Sequence, residues 1–495
     1  MPDAKPAGPL ADGPEPLPER GFEERAAMLR RLRQELVGLD VKVPLLSGTS
    51  RCYVNLDNAA STPTFRPVVE KVNEFLEFYS NVHRGTGFKS QIASWVFEEA
   101  RHTVARFVNA DLKHETVIFT KNTTESINKM ARLFPFREKG IVITSLMEHH
   151  SNELPWRRRA EVVHVDLKPD GSLDIEDYQR KLAEYRTRLD LVALTGAANV
   201  SGWVNPIHDL ARMAHQAGTK ILIDAAQLAP HRSIDMKPHG DPEHLDFVVF
   251  SAHKMYAPYG VGALVGDREA LLVGEPENVG GGTVDVVTLE NAYWRDLPER
   301  EEAGTPDIVG VVALAAIIRL IEGIGWDAII QHEATLTRYA LERLSRIPGI
   351  TIYGKTDGSD LEDRLGVIAF NVKDHDHALT AAILSYEGAI GVRNGCFCAH
   401  PYVLCLLGLN EEQARKAETD ILARDRSRIP GAVRASIGIY NDESDIDALC
   451  DCLETVAERK YLGKYTVCKE SGAYIPEGND CFMFEHHFTL DPRLP

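Results

Sequence analysis

The 495-residue chain predicts an α/β fold: a large domain with a mostly parallel sheet covered by helices, then a smaller C-terminal α/β domain. Three observations carry this expectation. Short β-branched runs alternate with helical segments between residues 117 and 265, as in strands buried on both faces. The pattern changes from about Pro306, and the length exceeds what one hydrophobic core usually serves.

Taken in order, residues 1–20 are rich in Pro, Ala, Asp and Glu and read as a flexible N-terminal tail. They lack the basic and apolar regions of a signal peptide. Residues 21–60 form an N-terminal segment expected to pack on the small domain. It opens with a charged amphipathic helix at 21–39 and ends in a strand at 52–56. Apolar residues three and four apart mark helices at 67–79 and 90–108. Strands are expected at 117–119, 141–144, 162–165, 191–194, 221–223, 247–250 and 261–265, giving a large domain over 61–306. The small domain, 307–457, has helices at 307–322, 327–346 and 378–386, with strands near 351–353, 367–371 and 432–438. Residues 410–428 read as an inserted charged helix, and 458–495 as an extension without period.

The formal net charge of −18 argues against a nucleic-acid partner, which needs a basic face. Eight cysteines without framework spacing read as reduced thiols of a cytoplasmic protein. The longest apolar run, 309–318, is shorter than the roughly 20 residues a membrane span needs, so no membrane partner is expected.

Two strand ends carry the chemistry. One is Ile223-Asp224-Ala225-Ala226-Gln227; the other is Phe250-Ser251-Ala252-His253-Lys254. Singly, each reads as a capping Asp or an exposed Lys. Together they suit pyridoxal 5'-phosphate: Lys254 bonds to the aldehyde, and Asp224 keeps the pyridine nitrogen protonated, so the ring can accept electrons. Thr120-Lys121-Asn122-Thr123-Thr124-Glu125-Ser126 opens a helix after a strand, a place that favours a phosphate. Thr123 and Thr124 offer hydroxyls there, and Ser251 and His253 add donors. His149, in Met147-Glu148-His149-His150, is placed to stack on the ring and carry a proton. Asn199 is placed to reach the cofactor, and Gln227 to bond the ring hydroxyl.

With these residues in place, the chain resembles the class V aminotransferase-fold enzymes, and within them the group II cysteine desulfurases and selenocysteine lyases. The resemblance runs from about Tyr53 to Leu453. It rests on Leu56-Asp57-Asn58-Ala59-Ala60-Ser61, Val82-His83-Arg84-Gly85, Thr123-Thr124-Glu125-Ser126-Ile127-Asn128, Met147-Glu148-His149-His150 and Asp224-Ala225-Ala226-Gln227. Ser251-Ala252-His253-Lys254, Glu302-Ala303-Gly304-Thr305-Pro306 and Arg434-Ala435-Ser436 complete it. It implies the PLP-dependent transferase type I fold and a homodimer in which Thr305 of one subunit approaches the other's phosphate.

The family also needs a nucleophilic cysteine on a loop. Arg393-Asn394-Gly395-Cys396-Phe397-Cys398-Ala399-His400-Pro401 resembles that loop and places the nucleophile at Cys398. Arg393 and His400 are candidates to favour its thiolate. Cys396 and Phe397 stand where the family usually has polar residues. A metal cluster of Cys396, Cys398 and His400 lacks a second spaced pair, so no metal is expected. Arg434 is assigned to the substrate α-carboxylate, with Arg393 and His83 as further substrate contacts. The implied reaction converts L-cysteine to L-alanine, with the sulfur left as a persulfide on Cys398 for a protein acceptor. Lys254 removes the α-proton and His149 carries one. The 410–428 insertion is expected to pack over the active-site mouth. Two alternatives stay open: another class V enzyme (a carbon–sulfur lyase, epimerase or aminotransferase), or a cofactor-holding protein without turnover.

Overall fold

The computed structural model describes residues 21–82, 85–357, 361–478 and 484–491. Among these, seven strands build the central sheet. Their spatial order is Glu115–Thr120, Gly262–Asp267, Phe247–Ser251, Lys220–Asp224, Leu189–Thr195, Ile141–Ser145 and Glu161–Val165. Gly262–Asp267 is antiparallel to both neighbours, and the remaining pairs are parallel. The other strands therefore all end on one edge of the sheet.

The strands read as unbroken apolar runs because both faces are covered. Ile221, Ile223 and Val248 point into one helical layer, while Leu222, Phe247 and Val249 point into the other. All six are fully buried, and each such side chain stabilises by about 1.5–3 kcal/mol relative to exposure. The helices Phe88–Phe107 and Ile308–Ile324 cover the first face. No single helix among the described residues is long and apolar enough to cross a membrane.

A second, four-stranded antiparallel sheet runs Ile350–Tyr353, Val367–Val372, Ala432–Ser436, Arg393–Gly395. Its core joins Ile368, Phe370 and Val433 to Ile383 and Leu384 of His377–Gly388, and to Leu449 and Leu453 of Glu443–Ala457. The division between the cores does not fall at residue 306. Ile308–Ile324 is buried in the larger core, and past residue 306 the first residue of the smaller one is Leu336, within Trp326–Ser345.

The 21–60 segment is likewise split. Its helix spans Phe22–Leu32 and buries Leu29 and Leu32 in the larger core. Val54–Asn55 pairs with Ile390–Gly391, and Leu56 enters the smaller core. The strand expected at 52–56 is broken at Tyr53, since Ser50–Cys52 pairs with Lys42–Pro44 instead.

Glu333 fastens the two cores together. It is buried and lies 2.9 Å from His231 Nδ1 and 2.6 Å from an Arg232 nitrogen, both on the large domain. It also accepts the Gly366 N–H at 2.8 Å.

The inserted helix, Glu411–Leu422, carries no buried residue. The chain beyond it docks on the C-terminal hairpin Tyr465–Val467/Tyr474–Pro476: the Arg426 N–H donates to Lys469 O at 2.8 Å, and its guanidinium to Glu470 O at 2.9 Å.

Candidate active site

The shared strand edge opens into a cavity of about 330 Å³ lined by residues of both domains. The large domain supplies Thr123, Thr124, His149, Asn199, Asp224, Gln227, Ser251, His253 and Lys254, and the small domain supplies Arg393, Cys398 and Arg434. Thr305 is exposed and is not among the lining residues. His83 lies outside the described residues.

The helix Thr123–Leu133 is started by Asn122, whose side chain accepts the Glu125 N–H at 2.9 Å. Ser251 Oγ accepts the Thr123 N–H at 2.7 Å and lies 2.6 Å from Thr123 Oγ1. Thr124 Oγ1 is 2.7 Å from Ser151 Oγ. This hydroxyl-rich helix N-terminus suits a phosphate. Gly262 lets the neighbouring strand close on it, because a Cβ there would stand 2.8 Å from the Asn122 backbone.

Lys254 follows Phe247–Ser251 in a single 3-10 turn. Burial pushes its amine down to about 8, with Asp224 opposing and Arg434 adding to the fall. Asp224 is buried, and burial raises its carboxyl against the Ala226 N–H, 2.9 Å away, and the Lys254 charge. Burial and the nearby charges of Lys254, His150 and Arg434 hold His149 down at about 4. The Ser151 N–H donates to His149 Nδ1 at 3.1 Å, leaving the hydrogen of the neutral ring on Nε2. Beneath it, burial pushes Glu148 up to about 8, although Ser145, Asn152 and the Thr195 N–H all donate to it.

These groups fit pyridoxal phosphate. Asp224 is a buried carboxylate facing the cavity with one backbone donor, which leaves it able to meet a pyridinium N–H. Gln227 Oε1 is buried without a hydrogen-bond partner, as a ring hydroxyl would require. The hydroxyl cluster provides the phosphate end. Asn199 lines the cavity as well; its side-chain NH2 donates to Phe397 O at 2.8 Å and its backbone carbonyl accepts from Arg434 at 2.9 Å. It holds the cysteine loop and the arginine.

Arg434 is 3% exposed, and burial lowers its guanidinium to about 10, with Asp57 opposing. One nitrogen bonds Asp57 at 3.0 Å, the guanidinium stands 5.0 Å from the Phe397 ring centre, and Nε is buried without a partner. Arg393 reaches the other Asp57 oxygen at 2.9 Å. Asp57 thus bridges both arginines, a role that none of its neighbours in the chain announces. Ser151 and Asn122 also belong to the site; the Asn122-x-x-Glu125 spacing announces a helix N-cap, whereas nothing local marks Ser151.

The two loop cysteines differ. Cys398 is exposed and lines the cavity. Cys396 is buried with Sγ 3.2 Å from Pro430 O, and burial pushes its thiol up to about 11. The loop is not extended between them: Phe397 and Cys398 both sit at positive φ, 52° and 55°. The turn is held at two carbonyls, Phe397 O by Asn199 and Cys398 O by the His150 N–H at 2.7 Å. His400 does not line the cavity. It stacks on His150 at 4.9 Å, and burial holds it below its ordinary value, so the cations that share the cavity with Cys398 are Arg393, Arg434 and Lys254. No residue of the 410–428 insertion lines the cavity, so the expected cover over its mouth is not formed by these side chains.

Comparison with known proteins places this geometry. The class-V aminotransferase family matches residues 54–449. A probable cysteine desulfurase of Halalkalibacterium halodurans is 37% identical over 421 residues, covering 83% of this chain and 94% of its own. A cysteine desulfurase of Haloferax volcanii is 35% identical over 414 residues, covering 82% and 89%. Among solved structures, the apo cysteine desulfurase of Thermococcus onnurineus superposes with a TM-score of 0.72 at 32% identity, covering 82% of this chain and 95% of that one. The Escherichia coli cysteine desulfurase CsdA gives 0.71 at 27% identity, covering 88% and 99%. The chain belongs to the class-V aminotransferase family, and these relatives within it are cysteine desulfurases.

Proposed function

We propose that the chain is a pyridoxal phosphate-dependent cysteine desulfurase that converts L-cysteine to L-alanine and keeps the sulfur as a persulfide on Cys398. The observation that carries this reading is the exposed Cys398 thiol in one cavity with Lys254, Asp224 and Arg434. Bound there, the cofactor supplies an aldehyde for the substrate amine and an electron sink for the α-carbon. Thr123, Thr124, Ser251 and His253 hold its phosphate, Asp224 its ring nitrogen and Gln227 its hydroxyl.

Arg434 receives the substrate carboxylate through its unpartnered Nε–H and a remaining Nη hydrogen, with Asp57 keeping the guanidinium in plane. Lys254 has an amine near 8, so a useful fraction is unprotonated at neutral pH to remove the α-proton. The Cys398 thiolate then forms a bond to the substrate sulfur as the carbon–sulfur bond breaks. A proton is then delivered to the β-carbon and Lys254 gives the α-proton back to the α-carbon, so one cysteine and one thiol give one alanine and one persulfide. His149 works from its neutral form, with Nε2–H as the donor.

A homodimer is part of the proposal, with Thr305 reaching the partner's phosphate. The hairpin Val284–Val287/Ala292–Trp294 supports it, because Val286, Val287, Leu289 and Tyr293 are all more than half exposed. The protein is placed in the cytoplasm, with a protein thiol as sulfur acceptor.

The test is release of sulfide and alanine from L-cysteine under reductant, with borohydride fixation of the cofactor and peptide mapping. Equal amounts of both products and a label on Lys254 are expected. A label on another lysine, or pyruvate in place of alanine, would defeat the reading.

A further inference from the structure

At the sheet edge opposite Lys254, Glu115 opens the Glu115–Thr120 strand, and two histidines face it from the chain before Phe247. Glu115 is 2% exposed. Its Oε2 accepts the Asp111 N–H at 2.6 Å, whereas Oε1 is buried without a hydrogen-bond partner. His244 Nε2 lies 3.6 Å from that orphan oxygen and His239 Nδ1 3.8 Å. The ligand atoms of all three lie within 4.8 Å of one another.

His244 is itself buried, and its Nδ1 stands 2.9 Å from Lys237 O. A carbonyl only accepts, so Nδ1 carries the hydrogen. With that hydrogen on Nδ1, Nε2 is the nitrogen left to ligate, and it faces the carboxylate oxygen. The separations exceed the roughly 2.7–3.2 Å of a direct hydrogen bond. They are close to the spacing of about 3.4 Å between ligands that each sit about 2.0–2.1 Å from a tetrahedral ion. His114 stacks on His239 at 4.4 Å and 8°, fixing the plane of the exposed ring.

We propose that Glu115, His239 and His244 form a binding site for a divalent transition-metal ion of the zinc class, with water completing the shell on the exposed His239 side. Two imidazoles and one carboxylate select zinc or cobalt over magnesium or calcium, which prefer all-oxygen shells. The ion joins the chain around residues 235–245 to the start of the edge strand. Asn109 already bonds Asp235 at 2.8 Å beside it, and the Met236 N–H bonds Val108 O at 2.8 Å. Five residues of strand separate this end from the Lys254 end, about 17 Å, so the ion acts on stability and not on the reaction.

The test is titration of the chelator-treated, cofactor-loaded full chain with Zn(II) and with Co(II) as a spectroscopic probe. One ion per chain is expected, with a visible cobalt band and a Tm raised by zinc. His239→Ala, at an exposed position, should fold normally, keep its desulfurase activity, weaken zinc binding by at least about tenfold and lose the zinc-dependent rise in Tm. Cys398→Ser should bind as the wild type does. Unchanged affinity in His239→Ala, loss of binding in Cys398→Ser, or no binding by the wild type at micromolar metal would overturn the proposal. Glu115→Gln that kept both affinity and the cobalt band would overturn it as well.

Discussion

Replacing Cys396 and Cys398 with serine, one at a time, separates two thiols that the chain places only two positions apart. Burial sets the Cys396 thiol at about 11 and points its Sγ at Pro430 O. At pH 7.5 a thiol of that pKa is ionised in about one molecule in three thousand. Only the thiolate attacks sulfur; an unperturbed thiol, near 8.5, is ionised in about one molecule in eleven at that pH, so Cys396 starts about 300-fold behind it, and it does not line the cavity. Cys398 faces the cavity, which Lys254, Arg393 and Arg434 also line. Cys398→Ser should lower sulfide release by about a thousandfold or more, as loss of a nucleophile does elsewhere. It should still show the spectral change of substrate binding. Cys396→Ser should stay within about twofold of wild type, because it removes one weak hydrogen bond. The assay is single-turnover reaction with L-cysteine, followed by alkylation and mass mapping of the added sulfur. Added sulfur on Cys396, or full turnover in Cys398→Ser, would refute the reasoning.

Asp224→Asn should lower kcat by about a hundredfold or more while keeping most of the cofactor, because the lost charge matters chiefly once the α-carbon is deprotonated; matched loss of cofactor and rate would count against it. Asp57→Asn should raise KM for L-cysteine about tenfold with a smaller fall in kcat, through loss of one charge-assisted bond to Arg434. The cofactor spectrum should not change, and a pure loss of folded protein would show Asp57 to be structural only. Burial alone would raise the Glu333 carboxyl, but His231, Arg232 and the Gly366 N–H outweigh it and hold it at about 2. A carboxyl depressed on folding stabilises fully above its unfolded value, near 4.3, and this is lost as pH falls toward 2. Glu333 therefore contributes about 3 kcal/mol at neutral pH. Glu333→Gln should lower Tm at pH 7 far more than at pH 3, and an equal loss at both would contradict the assignment.

The central sheet was legible in the sequence because its strands are buried on both faces, so each announced itself as a β-branched run. The 247–250 and 221–223 expectations fall within the observed Phe247–Ser251 and Lys220–Asp224. The residues at those strand ends were readable for the same reason: strand direction alone brings Asp224 and Lys254 to one edge. What the sequence hid was long-range. Asp57 and Arg434 stand 377 positions apart, and nothing local links them. The left-handed turn at Phe397 and Cys398 carries no glycine to announce it, so an extended loop was expected; the two cysteines differ in burial rather than by simple alternation. The helix Ile308–Ile324 follows the apparent change of pattern at Pro306 yet packs backward, since its apolar surface is served by helices that precede it in the chain.

The buried carboxylate between the two cores also bears on how molecules enter and leave. Swinging the small domain away would pull Gly366 from Glu333, which His231 and Arg232 hold on the large-domain side. Breaking that one hydrogen bond to a buried charge costs about 1.5–3 kcal/mol, so an open form of that kind stays a minor one, between about one part in ten and one part in two hundred. Traffic through the cavity then falls to the smaller gates, the exposed Arg393 and the turn at Phe397 and Cys398, whose two backbone tethers can be released without moving a domain.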